Sequence, residues 1–152
     1  MRFGLALLAG VLTLLLAACG GGSDKDHALT ADQFRQQADS ICRQYEDKVK
    51  ALGSPSSLDE LGDYVDQVIP IIEEGNGKLD DLQPPAELAD DWGRAMELQD
   101  QNLGVAKDLQ QAIRDQDPAK VQELIQKLDA TDAKSNEIAR GIGLEDCGQT
   151  SE

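Results

Sequence analysis

The chain has 152 residues and carries 29 acidic side chains against 14 basic ones, a formal net charge of −15. This length suits a single domain with a substantial hydrophobic core. The acidic excess argues against binding to nucleic acid or to anionic lipid headgroups, because both surfaces require basic patches on the protein. Any attachment to a membrane must therefore depend on something other than charge.

The N-terminal residues have the features of an export signal. Arg2 supplies the positive charge, residues 5–16 form an uncharged apolar run, and Ala17-Ala18 are the small residues that cleavage requires. Cys19 follows directly, ahead of a glycine spacer, and the whole stretch resembles a bacterial lipobox. The resemblance implies that residues 1–18 are a signal peptide and that Cys19 carries a thioether-linked diacylglycerol. The protein is then expected on the outer face of the cell membrane, attached through this lipid.

Two plainer interpretations of the same stretch remain. An ordinary cleaved signal peptide explains the apolar run but leaves the cysteine at the cleavage point without a purpose. A transmembrane anchor is disfavoured because the uncharged stretch of residues 3–22 ends in glycines, and the apolar part is too short for a bilayer core of about 30 Å. Residues 19–28 are predicted to be the lipidated cysteine and a flexible tether, which contains the only histidine, His27.

Residues 29–148 are predicted to form one helical domain, with 149–152 as a tail. Helix one begins at Thr30, with Gln33 in capping-box spacing, and ends at Gly53-Ser54-Pro55. Helix two begins at Ser57, with Glu60 in the same spacing, and Pro84-Pro85 stops it. Apolar side chains recur along both helices at steps of three and four, with Gly75 at one position of the helix-two face.

The second half of the domain predicts two further helices. Helix three is expected from about Pro85 to about Gln116, long enough to overhang its neighbours or to break at Gly93 or Gly104. Helix four begins at Asp117, followed by Pro118 at the first helical position, and closes at Gly141 and Gly143. No segment alternates as a half-buried strand does. Four amphipathic helices with short connectors predict an all-α fold, an antiparallel up-down-up-down four-helix bundle.

The remaining cysteines, Cys42 and Cys147, form an even pair once Cys19 is assigned to the lipid. In an oxidising compartment such a pair favours a disulfide, and two unrelated buried thiols are the alternative. In an antiparallel bundle the end of helix four lies beside the start of helix one. The seven residues that follow Arg140 reach Cys42 if they turn back in an extended path.

Two short motifs accompany these cysteines. Helix one contains Ala38-Asp39-Ser40-Ile41-Cys42, and the C-terminal region contains Gly143-Leu144 followed by Cys147. Through both motifs and its helix pattern, the chain resembles a group of small extracytoplasmic bacterial lipoproteins of actinobacterial type. The resemblance supports the helical fold and the disulfide, and it implies no activity.

Few side chains of the helical domain suit catalysis. The histidine lies in the tether, and the bridge uses both cysteines. The spacings typical of haem attachment, di-iron bundles, EF-hands and phosphate-binding loops are absent from the sequence. The sequence therefore predicts no catalytic residue, no cofactor and no metal site.

Two polar features remain as candidates for binding. Acidic residues crowd the turn between helices two and three, where a solvated loop end is the plain interpretation and a weak Ca²⁺ site the alternative: Asp80, Asp81, Glu87, Asp90 and Asp91. Polar residues also interrupt the apolar faces of helices three and four: Gln99, Asn102, Thr131, Asp132 and Ser135. This second set predicts a polar layer inside the bundle. The layer could bind a ligand, or it could fix the register of the helices, or these residues could simply be exposed to solvent.

The sequence thus favours a non-catalytic binding module without nucleic acid. The first hypothesis is interaction with a protein partner or an accessory role in the cell envelope. The alternative is binding of a small ligand or a cation, in the polar layer or at the acidic turn. A large exposed apolar patch or groove would favour the first hypothesis. An enclosed pocket lined by Gln99, Asn102 and Asp132 would favour the second.

Overall fold

The computed structural model describes residues 29–149, apart from the side chain of Leu58. Four α-helices follow one another: α1 (Ala31–Lys50), α2 (Leu58–Asp80), α3 (Ala89–Arg114) and α4 (Pro118–Gly141). No strand occurs between residues 29 and 149, so the all-α prediction is confirmed. None of these four helices is apolar over the length needed to cross a bilayer. The signal peptide, Cys19 and the tether, as predicted, lie outside the described residues.

Three of the helices begin at the capping residues that the sequence indicates. The Thr30 hydroxyl accepts from the Gln33 backbone N–H at 3.3 Å, and the Gln33 side chain accepts from the Thr30 N–H at 3.1 Å. The Ser57 hydroxyl accepts from the Glu60 N–H at 3.2 Å. The Glu60 carboxylate instead accepts from the N–H of Ser56, so only half of the second capping box forms. Helix α4 is capped by Asp117, with Pro118 following it.

Helix α3 is shorter than the sequence predicts. It covers Ala89–Arg114, 26 residues, and is continuous through both Gly93 and Gly104. The chain after Pro85 first makes a turn, in which the Leu88 N–H donates to the Pro85 carbonyl at 2.9 Å. With 23 residues in α2 and 24 in α4, the three helices have similar lengths, so the expected overhang or break does not arise.

Each helix packs antiparallel against its neighbour in sequence. The Leu29 N–H donates to the Gln83 carbonyl at 3.2 Å, which places the acidic α2–α3 turn beside the start of α1, as the up-down topology requires. The first and last helices are farther apart: no Cα atom of α1 lies within 8 Å of a Cα atom of α4. The bundle is therefore open along the side between α1 and α4.

The residues after α4 fill one end of this opening. They turn back along α1, where the Arg35 Nε donates to the Ile142 carbonyl at 2.7 Å. The Asp39 carboxylate then accepts three consecutive backbone N–H groups, those of Glu145, Asp146 and Cys147, at 3.1, 2.9 and 3.1 Å. Residues 142–148, which we call the C-terminal strap, are thus held against α1 by backbone as well as side-chain contacts.

The predicted disulfide is confirmed and completes this attachment. Cys42 and Cys147 are bonded, with their Cα atoms 5.2 Å apart. Gly143 has a φ of 82°, and a Cβ there would lie 2.9 Å from the Arg35 Nε, so glycine suits the turn. Leu144 is 1% exposed and anchors the strap in the core. The two cysteine motifs together therefore attach the C-terminal strap to α1.

Replacement of Asp39 by alanine is expected to lower the free energy of unfolding by about 2 kcal/mol. The substitution leaves three N–H groups of the strap without their charged acceptor, and hydrogen bonds to charged groups contribute about 1.5–3 kcal/mol. Urea unfolding of the oxidised protein measures the change. Asp47→Ala, at an exposed position of the same helix, is the control. Equal effects of the two substitutions would contradict this role of Asp39.

The apolar side chains form two core clusters, one toward each end of the bundle. The cluster beneath the strap includes Phe34, Trp92 and Leu144. The rings of Phe34 and Trp92 meet edge to face, with centroids 5.0 Å apart. The second cluster joins α2, α3 and α4, and it includes Val65 and Leu124. Among the side chains that the structure describes, Ile125 is the only large hydrophobic one that is exposed, at 37%.

Candidate functional site

The opening between α1 and α4 forms a cleft with a volume of about 520 Å³. Helix α1 lines it with Ile41, Tyr45 and Val49, and α4 lines it with Leu128 and two aspartates. Helices α2 and α3, which connect these two walls, form the floor. Cys147 and the adjoining strap residues close one end. The disulfide therefore also forms part of the cleft lining.

Most of the lining is apolar. The floor residues from α2 are mainly β-branched and leucine side chains, and Tyr64 adds an aromatic ring: Leu61, Val65, Val68, Ile69, Ile71, Ile72 and Leu79. Gly75 allows the Tyr45 ring to lie directly on α2, because a Cβ at Gly75 would be 3.0 Å from the Tyr45 Cγ. Binding sites for small molecules are typically concave and apolar in this way, with a few polar groups that orient the ligand.

The predicted polar layer lies at the boundary between α3 and α4. The Gln99 Nε2 donates to the Ser135 hydroxyl at 3.1 Å, and the Asn102 Nδ2 donates to the Asp132 carboxylate. Of these four residues, Gln99, Asn102 and Asp132 line the cleft. Thr131 is not part of the layer, because its hydroxyl donates to the Lys127 carbonyl of its own helix at 2.9 Å. The structure thus brings together four of the five predicted residues.

Two buried amide atoms in the cleft lack a hydrogen-bonding partner. They are the acceptor Oδ1 of Asn102 and the donor Nδ2 of Asn76, in side chains of residues only 6% and 8% exposed. Both residues line the cleft, but these two atoms have almost no accessible surface and so lie just beneath its lining. An unpaired buried polar group costs about 1–3 kcal/mol, and native structures contain few of them. A ligand group that donates to Asn102 and accepts from Asn76 would remove this cost once the side chains covering the two atoms move aside.

Asn76 is the site residue that sequence reasoning missed. It follows Ile72 by four residues and precedes Leu79 by three, so it occupies the apolar face of α2. That spacing could have identified Asn76 as a site residue, because an amide on an apolar helix face is buried and needs a hydrogen-bonding partner. The flanking Gly75 and Gly77 obscured it by interrupting the apolar pattern.

All the charged side chains that line the cleft are acidic. Four carboxylates line it, those of Glu46, Asp129, Asp132 and Asp146, and no Lys, Arg or His among residues 29–149 does. Burial raises the pKa of Asp132, and the Asp129 carboxylate raises it further, whereas the hydrogen bond from Asn102 lowers it. Both effects make the ionisation of Asp132 less favourable than that of a free aspartate, and a cation placed beside it would offset them.

Asp132→Asn is expected to stabilise the free protein at pH 7, raising the melting temperature by about 1–2 °C. Because the folded-state pKa of Asp132 is raised, the wild type loses stability as the pH rises from the unfolded-state value through the folded-state value. The gain should therefore vanish below about pH 3.9, where the carboxyl is protonated in both states. Melting curves across pH measure it, with Asp100→Asn, at a position that does not line the cleft, as the control. A variant less stable than the wild type at pH 7 would contradict the expectation.

The acidic turn does not form a comparable site. Asp91 pairs with Arg94, one turn along the same helix. Between residues 29 and 149, no group of three or more His, Cys, Asp or Glu side chains is placed to hold a metal ion. The Ca²⁺ alternative at this turn therefore has no ligand set. Trp92, which is 6% exposed, belongs to the core and does not line the cleft.

The cleft is accordingly the one feature of the described chain that combines volume, an apolar lining and unpaired polar atoms. The assignment of function therefore depends on the chemistry of the cleft alone, because comparison with known proteins identifies no relative. No protein-family model, no curated protein and no solved structure matches this chain.

Proposed function

We propose that this protein is a lipid-anchored, non-catalytic binding protein on the outer face of the cell membrane. Its binding site is the cleft between α1 and α4, and its ligand is a small amphiphilic molecule. The observation that carries this proposal is an apolar cleft with two unpartnered amide atoms, Asn76 Nδ2 and Asn102 Oδ1, just beneath its lining. Buried polar groups are normally satisfied, so their free atoms point to a ligand that completes them.

A small ligand fits the geometry better than a protein partner does. The cleft volume of about 520 Å³ falls within the range of small-molecule pockets, about 300–1,000 Å³. A protein-binding surface would present a contiguous exposed apolar patch or a groove surrounded by exposed apolar side chains. Ile125 is the only large hydrophobic side chain that is exposed among those the structure describes, and it does not line the cleft. We therefore favour the second hypothesis from the sequence, a ligand site that uses the polar layer, over the hypothesis of a protein partner.

Membrane attachment is assigned to Cys19. Mass spectrometry of the mature protein is expected to find this cysteine at the N-terminus, carrying acyl chains. In Cys19→Ala the acyl chains should be missing, because the thiol that carries them is gone. The Cys42→Ser/Cys147→Ser variant is the control and should keep its acylated N-terminus. An unmodified mature N-terminus at another residue would contradict the anchor.

Binding in the cleft can be tested with the neutral fluorescent probe N-phenyl-1-naphthylamine. The mature chain without its lipidated cysteine, residues 20–152, is expected to bind one probe molecule in the absence of detergent and to enhance its fluorescence. Leu128→Trp places a larger side chain in the cleft and should abolish this binding. Ile125→Trp lies on the same helix but does not line the cleft, so it should bind as the parent does.

Circular dichroism and the melting temperature establish that both tryptophan variants are folded. Folded variants that bind the probe equally would refute the cleft as the binding site. Absence of probe binding by the parent protein would refute the proposed function itself.

A further inference from the structure

The charge distribution in the cleft narrows the chemical class of the ligand. We infer that the cleft binds a cationic amphiphile, a molecule with an apolar body and a protonated amine. The apolar body lies against α1 and α2, and the amine lies beside Asp129, Asp132 and Asn102. This inference rests on the proposed function and adds the charge and the polar group of the ligand.

The first argument is that two of the four lining carboxylates have no cation of their own. Glu46 pairs with Lys50 at 2.7 Å, and Asp146 pairs with Arg43 at 2.5 Å. Asp129 and Asp132 make no ion pair within the described part of the chain. They lie three residues apart on α4, close enough for like charges to repel each other. A cation between them would replace this repulsion with attraction.

The second argument concerns the direction of the hydrogen bonds. The Asn102 amide donates its Nδ2 to Asp132 and leaves its Oδ1 as a buried acceptor. A protonated primary amine supplies several N–H donors together with a positive charge. When the side chains that cover Asn102 Oδ1 move aside, the amine can donate to this oxygen while it neutralises the neighbouring carboxylate. An anionic ligand offers no donor for Asn102 and is repelled by the aspartates.

The third argument is that Asn76 and Asn102 lie at the same level of the bundle. Helices α2 and α3 are antiparallel, and their register is given by the Glu73–Lys107 ion pair at 2.7 Å and the Asp66–Gln110 hydrogen bond at 2.6 Å. These two contacts place Asn76 opposite the α3 turn that contains Asn102. An oxygen atom adjacent to the amine, as in an amino alcohol, would then accept from Asn76 Nδ2.

The test compares three ligands that share one alkyl chain and differ in charge: decylammonium, 1-decanol and decanoate. Isothermal titration calorimetry of the mature chain without its lipidated cysteine, residues 20–152, is expected to show decylammonium binding at least tenfold more tightly than either of the others. Asp129→Asn/Asp132→Asn should remove most of this advantage. Asp100→Asn/Asp108→Asn changes the net charge equally at exposed positions outside the cleft, and it should retain the advantage.

Each outcome bears on a different part of the proposal. If the three ligands bind within threefold of one another, or if decanoate binds most tightly, the inferred charge preference is wrong while the cleft remains a binding site. If the two double variants lose the advantage equally, the preference reflects the overall charge of −15, and the assignment to Asp129 and Asp132 is wrong. If none of the three ligands binds, both the inference and the proposed function are overturned.

Discussion

Removal of the Cys42–Cys147 disulfide is expected to lower the free energy of unfolding by about 4–5 kcal/mol. The two cysteines are 105 residues apart, so the bridge restricts nearly the whole unfolded domain. In the loop-entropy model, a closed loop of about 100 residues corresponds to about 4.7 kcal/mol. The helices should persist, because the bridge joins the C-terminal strap to one face of α1 and no helix depends on it for its own hydrogen bonds. Urea unfolding of Cys42→Ser/Cys147→Ser against the oxidised wild type measures the loss.

The same variant can establish whether the disulfide and Asp39 stabilise the attachment of the strap cooperatively. Asp39→Ala should cost less stability in the bridge-free protein than in the oxidised protein, because a detached strap no longer presents its N–H groups to Asp39. A coupling energy near zero in this double-mutant cycle would show that the two attachments are independent. A loss below about 1 kcal/mol on removal of the bridge would contradict the loop-entropy estimate.

The helices were predictable from sequence where a side chain caps them. Thr30 and Asp117 accept hydrogen bonds from the first turn, and that local chemistry needs no tertiary contact. The start of α3 was placed too early because proline is equally suited to a turn and to the first turn of a helix. Leu88, the residue at the actual start, makes no side-chain cap, so the sequence carried no competing signal.

The polar layer was predictable, whereas the cleft was not. Gln99 and Asn102 follow the spacing of the α3 apolar face, and periodicity alone therefore indicates that they point toward neighbouring helices. Periodicity does not indicate which pair of helices fails to close. The cleft exists because α1 and α4 separate beyond the strap, and that separation depends on the packing of the whole bundle. Asn76 can be recognised as a site residue only when the position of the cleft is known.

Replacement of Phe34 by alanine is expected to lower the free energy of unfolding by about 3–5 kcal/mol. Phe34 is fully buried, at 0% exposure, and its ring meets the Trp92 ring edge to face. No Cα atom of α1 lies within 8 Å of a Cα atom of α3, so this aromatic pair joins two helices whose backbones do not approach closely. The substitution removes the ring from a cluster that also contains Leu144 of the strap. Urea unfolding measures the loss.

Trp92 is the only tryptophan of the chain, so its fluorescence reports directly on this contact. Phe34→Leu keeps most of the apolar volume and should cost about 1 kcal/mol, which makes it the matched control. Comparable losses for the two variants would show that the apolar volume retained by leucine contributes little and that the loss comes from removal of the aromatic ring. Because Phe34 and the disulfide hold the same wall of the cleft, folded Phe34→Ala protein should also bind decylammonium more weakly than Phe34→Leu does. Unchanged binding would mean that α1 keeps its position without the aromatic contact, and that the strap alone maintains the cleft.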